Sequence, residues 1–260
     1  MPRTVYASLP SPFLAIFLLL LGLAFGSFAS VLIARLTTRE SMWTRSRCPK
    51  CQRQITALEN IPILSYLWLR GRCVGCHSRI SALYPALEAG MALLFLAPIF
   101  IFHSWTPVLL WMVFVAFGLP LAVIDLQHHR LPDVLTGFLL LKALLVIVIS
   151  AFVLHRFDRL LPSAIGAFSL VAFYLAILII SKGGMGMGDV KLSASIGLIS
   201  GFFGLRAVLV SCFAAYILGS VIGIGLMIAG KADRKTAIPF GPFMIIGQII
   251  SLLALAHSSL

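Results

Sequence analysis

Eight long apolar stretches govern what this chain can fold into, because a backbone in lipid must satisfy its own hydrogen bonds and helices do so within a single segment. A hydrocarbon core about 30 Å thick takes roughly 20 apolar residues per helical span. Such stretches run from Phe13 to Ile33, Tyr84 to Phe102, Val108 to Ile124, Val134 to Leu154, Pro162 to Ser181, Val190 to Phe203, Ala207 to Gly230 and Ile238 to Ala256. The sixth is short for a crossing. Hydrophobic residues make up 60% of the chain and charged ones 11%, with a mean hydropathy of +1.06, well outside the range of soluble domains. The expectation is an all-α polytopic membrane protein of about eight transmembrane helices. Its divisions are an N-terminal helix (1–36), a small module between the first and second spans (37–82) and a multi-span domain (83–260). No small-residue cleavage site followed by a soluble domain succeeds the first stretch, so it reads as a retained helix and not a signal peptide.

Orientation follows from lysine and arginine, which gather on the cytoplasmic side. Between Arg35 and Arg79 there are nine basic residues, Arg35, Arg39, Arg45, Arg47, Lys50, Arg53, Arg70, Arg72 and Arg79, against Glu40 and Glu59. With eight spans, Arg130, the segment from Lys182 to Lys191 and that from Lys231 to Lys235 share this side, while Arg3, Arg156, Arg159 and Arg206 face outward and Lys142 falls within a span. The net charge of +12 is thus explained by topology and by anionic membrane lipid, with no nucleic-acid motif present.

The basic loop carries Cys48-Pro-Lys-Cys51 and Cys73-Val-Gly-Cys76, two CxxC turns separated by 21 residues. That is zinc-ribbon spacing, in which four thiolates close a tetrahedral structural site. Two disulfides are the rival reading, disfavoured in a reducing cytoplasm. The loop has few apolar residues from which to build a core, so metal binding would supply folding energy. His77 reads as a bystander and Cys212, in the seventh span, as a small buried apolar residue.

The chain has only eight acidic residues, and those bordering spans are functional candidates. Asp125 ends the run Leu119-Pro-Leu-Ala-Val-Ile-Asp125, and Asp189 opens the sixth span within Gly186-Met187-Gly188-Asp189-Val190-Lys191. Both are expected at the cytoplasmic boundary. The glycines allow close backbone approach and unusual φ/ψ, although Asp189 could equally be a helix N-cap. Asp133, after Leu131-Pro132, reads as a first-turn residue, and Glu88 as a partner for an arginine of the loop. Glu40, Glu59, Asp158 and Asp233 have ordinary solvated explanations, as do His128 and His129. Two aspartates brought together share a proton and so provide an acid and a base, but sequence spacing does not show that these two meet. Gly22, Gly26 and Ser30 form a small-residue face for helix packing.

These residues resemble, over nearly the whole chain, the bacterial type IV prepilin leader peptidase/N-methyltransferase family of GxGD aspartic proteases. The resemblance rests on Gly26-Ser27-Phe28, CPKC, ENIPILSYLWLRGR, RGRCVGC, YPALE from Tyr84 to Glu88, IDLQHHRLPD from Ile124, GMGMGDVK ending at Lys191, and PFGPF from Pro239. It implies a catalytic dyad of Asp125 and Asp189, supported by Gly186, Gly188 and Lys191, and zinc held by Cys48, Cys51, Cys73 and Cys76. It further implies a bacterial inner-membrane enzyme that removes the basic leader of prepilins or pseudopilins at the cytoplasmic edge. Many members then methylate the new amino terminus with S-adenosylmethionine. Where many members read GSFxNV, this chain has Ser30 in place of asparagine. A non-catalytic assembly protein with a partner-binding zinc loop, or a methyltransferase alone, are the alternatives.

Overall fold

The protein is seen here as a computed structural model that describes residues 12–38, 41, 45–181, 184–231, 233 and 236–255. Arg3, Arg39, Glu40, Lys182, Lys235 and Ala256 of the sequence reading lie outside the described residues. Among those residues the chain is all-helical apart from two isolated bridges, and it divides into two compact units, Met1–His103 and Ser104–Leu260.

In the first unit, α1 (Pro12–Thr38) packs against α3 (Leu83–Leu96), which Pro98 separates from a short α4 (Pro98–Ile101). The small-residue face makes this contact. A Cβ added to Gly22 would lie 2.6 Å from Ala92 Cα, and one on Gly26 2.6 Å from Glu88 Cα, so the two backbones touch where side chains are missing. Ser30 stays within α1, its hydroxyl donating to the Gly26 carbonyl.

Between α1 and α3 the chain makes two knuckles of the same design. In each, the amide of the first cysteine donates to the carbonyl five residues on (Cys48 to Arg53, Cys73 to Ser78), and the residue after the second cysteine turns left-handed. Those residues are Gln52 (φ 57°) and His77 (φ 55°). Antiparallel bridges close the knuckles, Arg47 with Gln54 and Arg72 with Arg79. A turn position accounts for His77, since histidine is among the residues that tolerate this conformation.

The short helix α2 (Leu64–Trp68) follows an uncommon γ-turn. Ile63 has φ 60° and ψ −50°, and Leu64 N–H donates to Pro62 O across it. A β-branched residue is strained there. The Glu88 carboxylate holds the turn, accepting the Ile63 N–H at 2.7 Å. Glu88 therefore meets a backbone amide, where the sequence suggested an arginine.

The second unit holds α5 (Trp105–His128), α6 (Asp133–Val153), α7 (Leu160–Ile180), α8 (Met187–Phe203), α9 (Leu205–Ile228) and α10 (Gly241–Leu255). Among the described residues, six helical segments are long and apolar enough to span a bilayer: α1, the α3–α4 pair, α5, α6, α7 and α9. The other two expected spans are helices of 17 and 15 residues, about 26 and 22 Å long at 1.5 Å per residue. The shorter and more polar composition of α8 has a physical reason: it packs against α6, α7, α9 and α10, and most of its residues are buried in protein. Protein contacts tolerate serine and glycine where lipid favours leucine. Gly197 and Gly201 abut the α7 backbone, since added Cβ atoms would come within 2.3 Å of Gly166 O and 2.4 Å of Pro162 O. Hydrogen bonds link the neighbouring helices, Ser200 Oγ to Gln248 Oε1 at 2.5 Å and Ser251 Oγ to Ala207 O at 2.8 Å.

Candidate active site and metal site

Asp125 lies in the last turn of α5 and is 5% exposed, while all residues from Leu126 to Arg130 are exposed. The helix ends just beyond it at His129, whose left-handed backbone donates to Asp125 O. Asp189 is the third residue of α8 and is 8% exposed. Its Oδ2 accepts the Gly186 N–H at 3.2 Å, half of a capping box, so a capping role coexists with burial. Gly186 has an ordinary φ of −83°, and the unusual backbone geometry anticipated for these glycines is absent there. Close approach does operate at Gly188, where a Cβ would lie 2.8 Å from the Leu131 Cβ.

The two carboxylates are brought together within the second unit. Asp189 feels the charge of Asp125, and Leu131 packs on both sides of the site, against Gly188 and against Gly241. Asp125 Oδ2 accepts the Gly241 N–H at 2.9 Å at the start of α10. Each aspartate is thus held by one amide at the N-terminal end of a helix, where the helix dipole favours negative charge. Gly241 was present in the sequence only as part of PFGPF, with no role. The Gly-Pro pair opening a helix was the available signal.

Lys191 stands apart from the carboxylates. Its Nζ pairs with Asp133 Oδ1 at 2.6 Å, joining α8 to the first turn of α6 on an exposed surface. Asp133 is the first residue of α6, as its sequence context suggested. Asp158 pairs with Arg156 and Arg159. Glu59 is held below the usual carboxylate range by the Thr56 amide and by Arg53, which it meets at 2.9 Å. Cys212 is half-buried and adjoins Tyr174.

In the first unit the sulfurs of Cys48, Cys51, Cys73 and Cys76 all lie within 4.8 Å of one another. The Cys48–Cys76 and Cys51–Cys73 separations are 3.8 and 3.9 Å, far longer than a disulfide and close to the edge of about 3.8 Å expected for a tetrahedron of sulfurs roughly 2.3 Å from zinc. All four are free thiols. Amide donation from Cys51 and Lys50 pulls the Cys48 thiol down to about 6. The Arg53 amide also favours the Cys51 thiolate, but desolvation and the neighbouring sulfurs outweigh it and push that thiol up to about 11. Four thiolates at this spacing need a cation to coexist, and the geometry can hold a metal ion.

Comparison with known proteins bears on what these sites serve. Residues 20–102 match the bacterial peptidase A24 N-terminal domain and residues 108–224 the type IV leader peptidase family. A prepilin leader peptidase/N-methyltransferase of Bacillus subtilis (strain 168) is 31% identical over 237 residues, covering 91% of this chain and 92% of the relative. The chain belongs to the type IV leader peptidase family. Proteins of the same name from Aeromonas hydrophila and Myxococcus xanthus (strain DK1622) are each 38% identical, over 82% and 89% of this chain and 72% and 70% of their own lengths. No solved structure gives a significant match. The two family regions meet between residues 102 and 108, where the two compact units also divide. Family membership and six apolar helices make this a multi-pass membrane protein.

Proposed function

We propose that this protein is a prepilin leader peptidase that also methylates the amino terminus it creates, with Asp125 and Asp189 as the catalytic pair. The convergence of these two buried carboxylates, each retained by a backbone amide, carries the peptidase reading. Like charges in a buried site do not both ionise easily, so the pair holds one proton between them. The ionised carboxylate takes a proton from water as its oxygen attacks the scissile carbonyl, and the protonated one donates to the carbonyl oxygen. Collapse of the tetrahedral diol returns a proton to the departing amine and frees the leader and the mature terminus. Gly241 and Gly186 orient the carboxylates, Gly188 lets Leu131 close against the site, and Lys191 supports the start of α8 through Asp133.

The basic residues around the four-cysteine module favour an inner-membrane location with module and aspartates at the cytoplasmic edge, in contact with anionic lipid. Cys48, Cys51, Cys73 and Cys76 would hold a structural zinc ion. A basic leader approaching Glu59 or Glu88 would find both engaged, by Arg53 and by the Ile63 amide. S-adenosylmethionine is the methyl donor that the methylation step would draw on. One cleft of about 530 Å³ is lined by Leu69, Arg70, Arg72, Cys73, Val74 and His77, and a second of about 430 Å³ by apolar residues between Leu20 and Leu64. Neither offers a carboxylate for ribose hydroxyls or an aromatic face for adenine beyond the His77 ring, so neither fits that donor as it stands.

Co-expression with a prepilin tests the reading. The wild-type chain should yield shortened pilin whose amino terminus is heavier by one methyl group. Asp125→Asn and Asp189→Asn should each slow cleavage by roughly 10²–10⁴-fold or more, the range for loss of an acid or base. Normal processing by either variant would remove it from the mechanism.

A further inference from the structure

Next to Gly241, and within electrostatic reach of Asp189, lies an aromatic cluster that the mechanism above leaves unused. Tyr174 of α7 and Tyr216 of α9 stack with ring centroids 5.9 Å apart and planes 27° from parallel. Phe240 sits 5.0 Å from the Tyr216 ring, and the next residue is Gly241, whose amide holds Asp125. Phe173 meets Tyr216 edge-on at 5.9 Å. The cluster is therefore tied to one aspartate through the chain, and both phenols interact electrostatically with the other, Asp189.

The two hydroxyls are not equivalent. Tyr174 is fully buried and has the Cys212 sulfur as a polar neighbour. The Tyr216 oxygen is sealed from solvent, yet it makes no hydrogen bond of good geometry, even to the neighbouring Tyr174 phenol. A buried hydroxyl without an acceptor destabilises the fold relative to phenylalanine, so its presence calls for a reason. Rotation of the ring is restricted by Tyr174 on one face and by Phe240 and Phe173 around it. Asp125 and Asp189 are themselves almost sealed, at 5% and 8% exposure, so the carboxylates and the Tyr216 oxygen share an interior that is closed to solvent in the absence of substrate.

We propose that Tyr216 is a further catalytic residue, whose hydroxyl donates a hydrogen bond to the scissile carbonyl oxygen as negative charge develops on it. The substrate would supply the acceptor missing from the resting site, and the rigid aromatic packing would hold the donor ready for the charged state. This rests on the aspartate-dyad reading. No bond to Tyr216 forms or breaks, and the proton stays on the phenol.

The test uses the full-length protein in detergent with a prepilin substrate, comparing wild type with Tyr216→Phe, Tyr174→Phe and Asp189→Asn. For Tyr216→Phe, kcat is expected to fall by about 10²–10³-fold, typical of losing an oxyanion donor, with KM nearly unchanged and Tm equal or higher. Tyr174→Phe should stay within about threefold of wild-type kcat, because its hydroxyl faces Cys212 and not the substrate. Affinity for a hydroxyl-bearing tetrahedral mimic should fall in parallel with kcat for Tyr216→Phe, a change that a purely structural role would not produce. Wild-type kcat in Tyr216→Phe, with Asp189→Asn inactive, overturns this inference and leaves the dyad standing. Full activity in Asp189→Asn overturns the dyad. Should Tyr216→Phe fail to fold, 3-fluorotyrosine at position 216 keeps the packing and strengthens the donor, and an unchanged kcat there overturns the inference.

Discussion

A single methyl group at position 241 would sit 2.8 Å from Asp125 Oδ2 and 3.2 Å from Leu131, in the space the carboxylate occupies when it accepts the Gly241 amide. The residue has no need of glycine for its place at the start of α10, so the constraint comes from the site. Gly241→Ala should push Asp125 away from its donor and lower kcat for prepilin cleavage by about 10–10²-fold, as small displacements of catalytic groups do. Thermal unfolding of the same variant in detergent should change little, because the helix keeps its backbone and gains a better helix former. Equal activity in the two proteins would show that the amide does not position Asp125. Gly188 is constrained in the same way by Leu131, whereas Gly186, in an ordinary conformation with only van der Waals neighbours, is not. The two glycines before Asp189 look alike in sequence, and their neighbours distinguish them.

At the scale of elements, α8 brings Asp189 into the site because it can lie directly on α7. Gly166, Gly197 and Gly201 let the two backbones meet, and Ser200, Gln248 and Ser251 join α8, α9 and α10 by hydrogen bonds that lipid cannot replace. Gly197→Val should part α7 from α8, reduce the yield of folded protein and abolish cleavage, since its first side-chain atom would overlap Gly166 O at 2.3 Å. Gly225→Ala in α9 is the matched control. Nothing lies within 4 Å of its added Cβ, and it should leave yield and activity unchanged or slightly improved. Size-exclusion profiles and cleavage assays on the two variants would check this. The apolar pattern located this helix but gave its start as Val190, because a hydropathy count excludes the Met187-Gly188-Asp189 turn that the structure shows to be helical.

Across the whole molecule, the chain pairs a unit containing a sulfur cluster with a unit containing the carboxylate pair, and the two family regions follow the same division. The cysteine module has two bridges, two short helical turns and few buried side chains, so a bound metal should contribute most of its order. Purified protein should contain about one zinc ion per chain, lost in Cys48→Ser or on treatment with a strong chelator. Hydrogen exchange should then accelerate across residues 45–81 while α5 to α10 keep their protection. Retention of slow exchange in a metal-free module would show that the loop is ordered without a cation.

By itself the sequence determined the solvent of this protein, the positions of most of its helices and the candidate residues for its chemistry. Apolar length, the side favoured by basic residues and the CxxC spacing are local properties, legible without knowing what touches what. Asp125 and Asp189 stood out because charges bordering spans are rare, and the motifs around them supplied the family. Tertiary structure alone decided that the two carboxylates share a site, that Gly241 and Leu131 complete it, and that Glu88 holds the Ile63 turn. Tyr216 also acquired meaning only there, as a phenol with a wall of aromatic rings and no acceptor. The physical reason is sequence separation: the two aspartates are 64 positions apart along the chain, and Asp125 and Gly241 are 116 apart. Periodicity and spacing describe neighbours along a chain, whereas a buried pair of carboxylates is made by helices that meet across the fold.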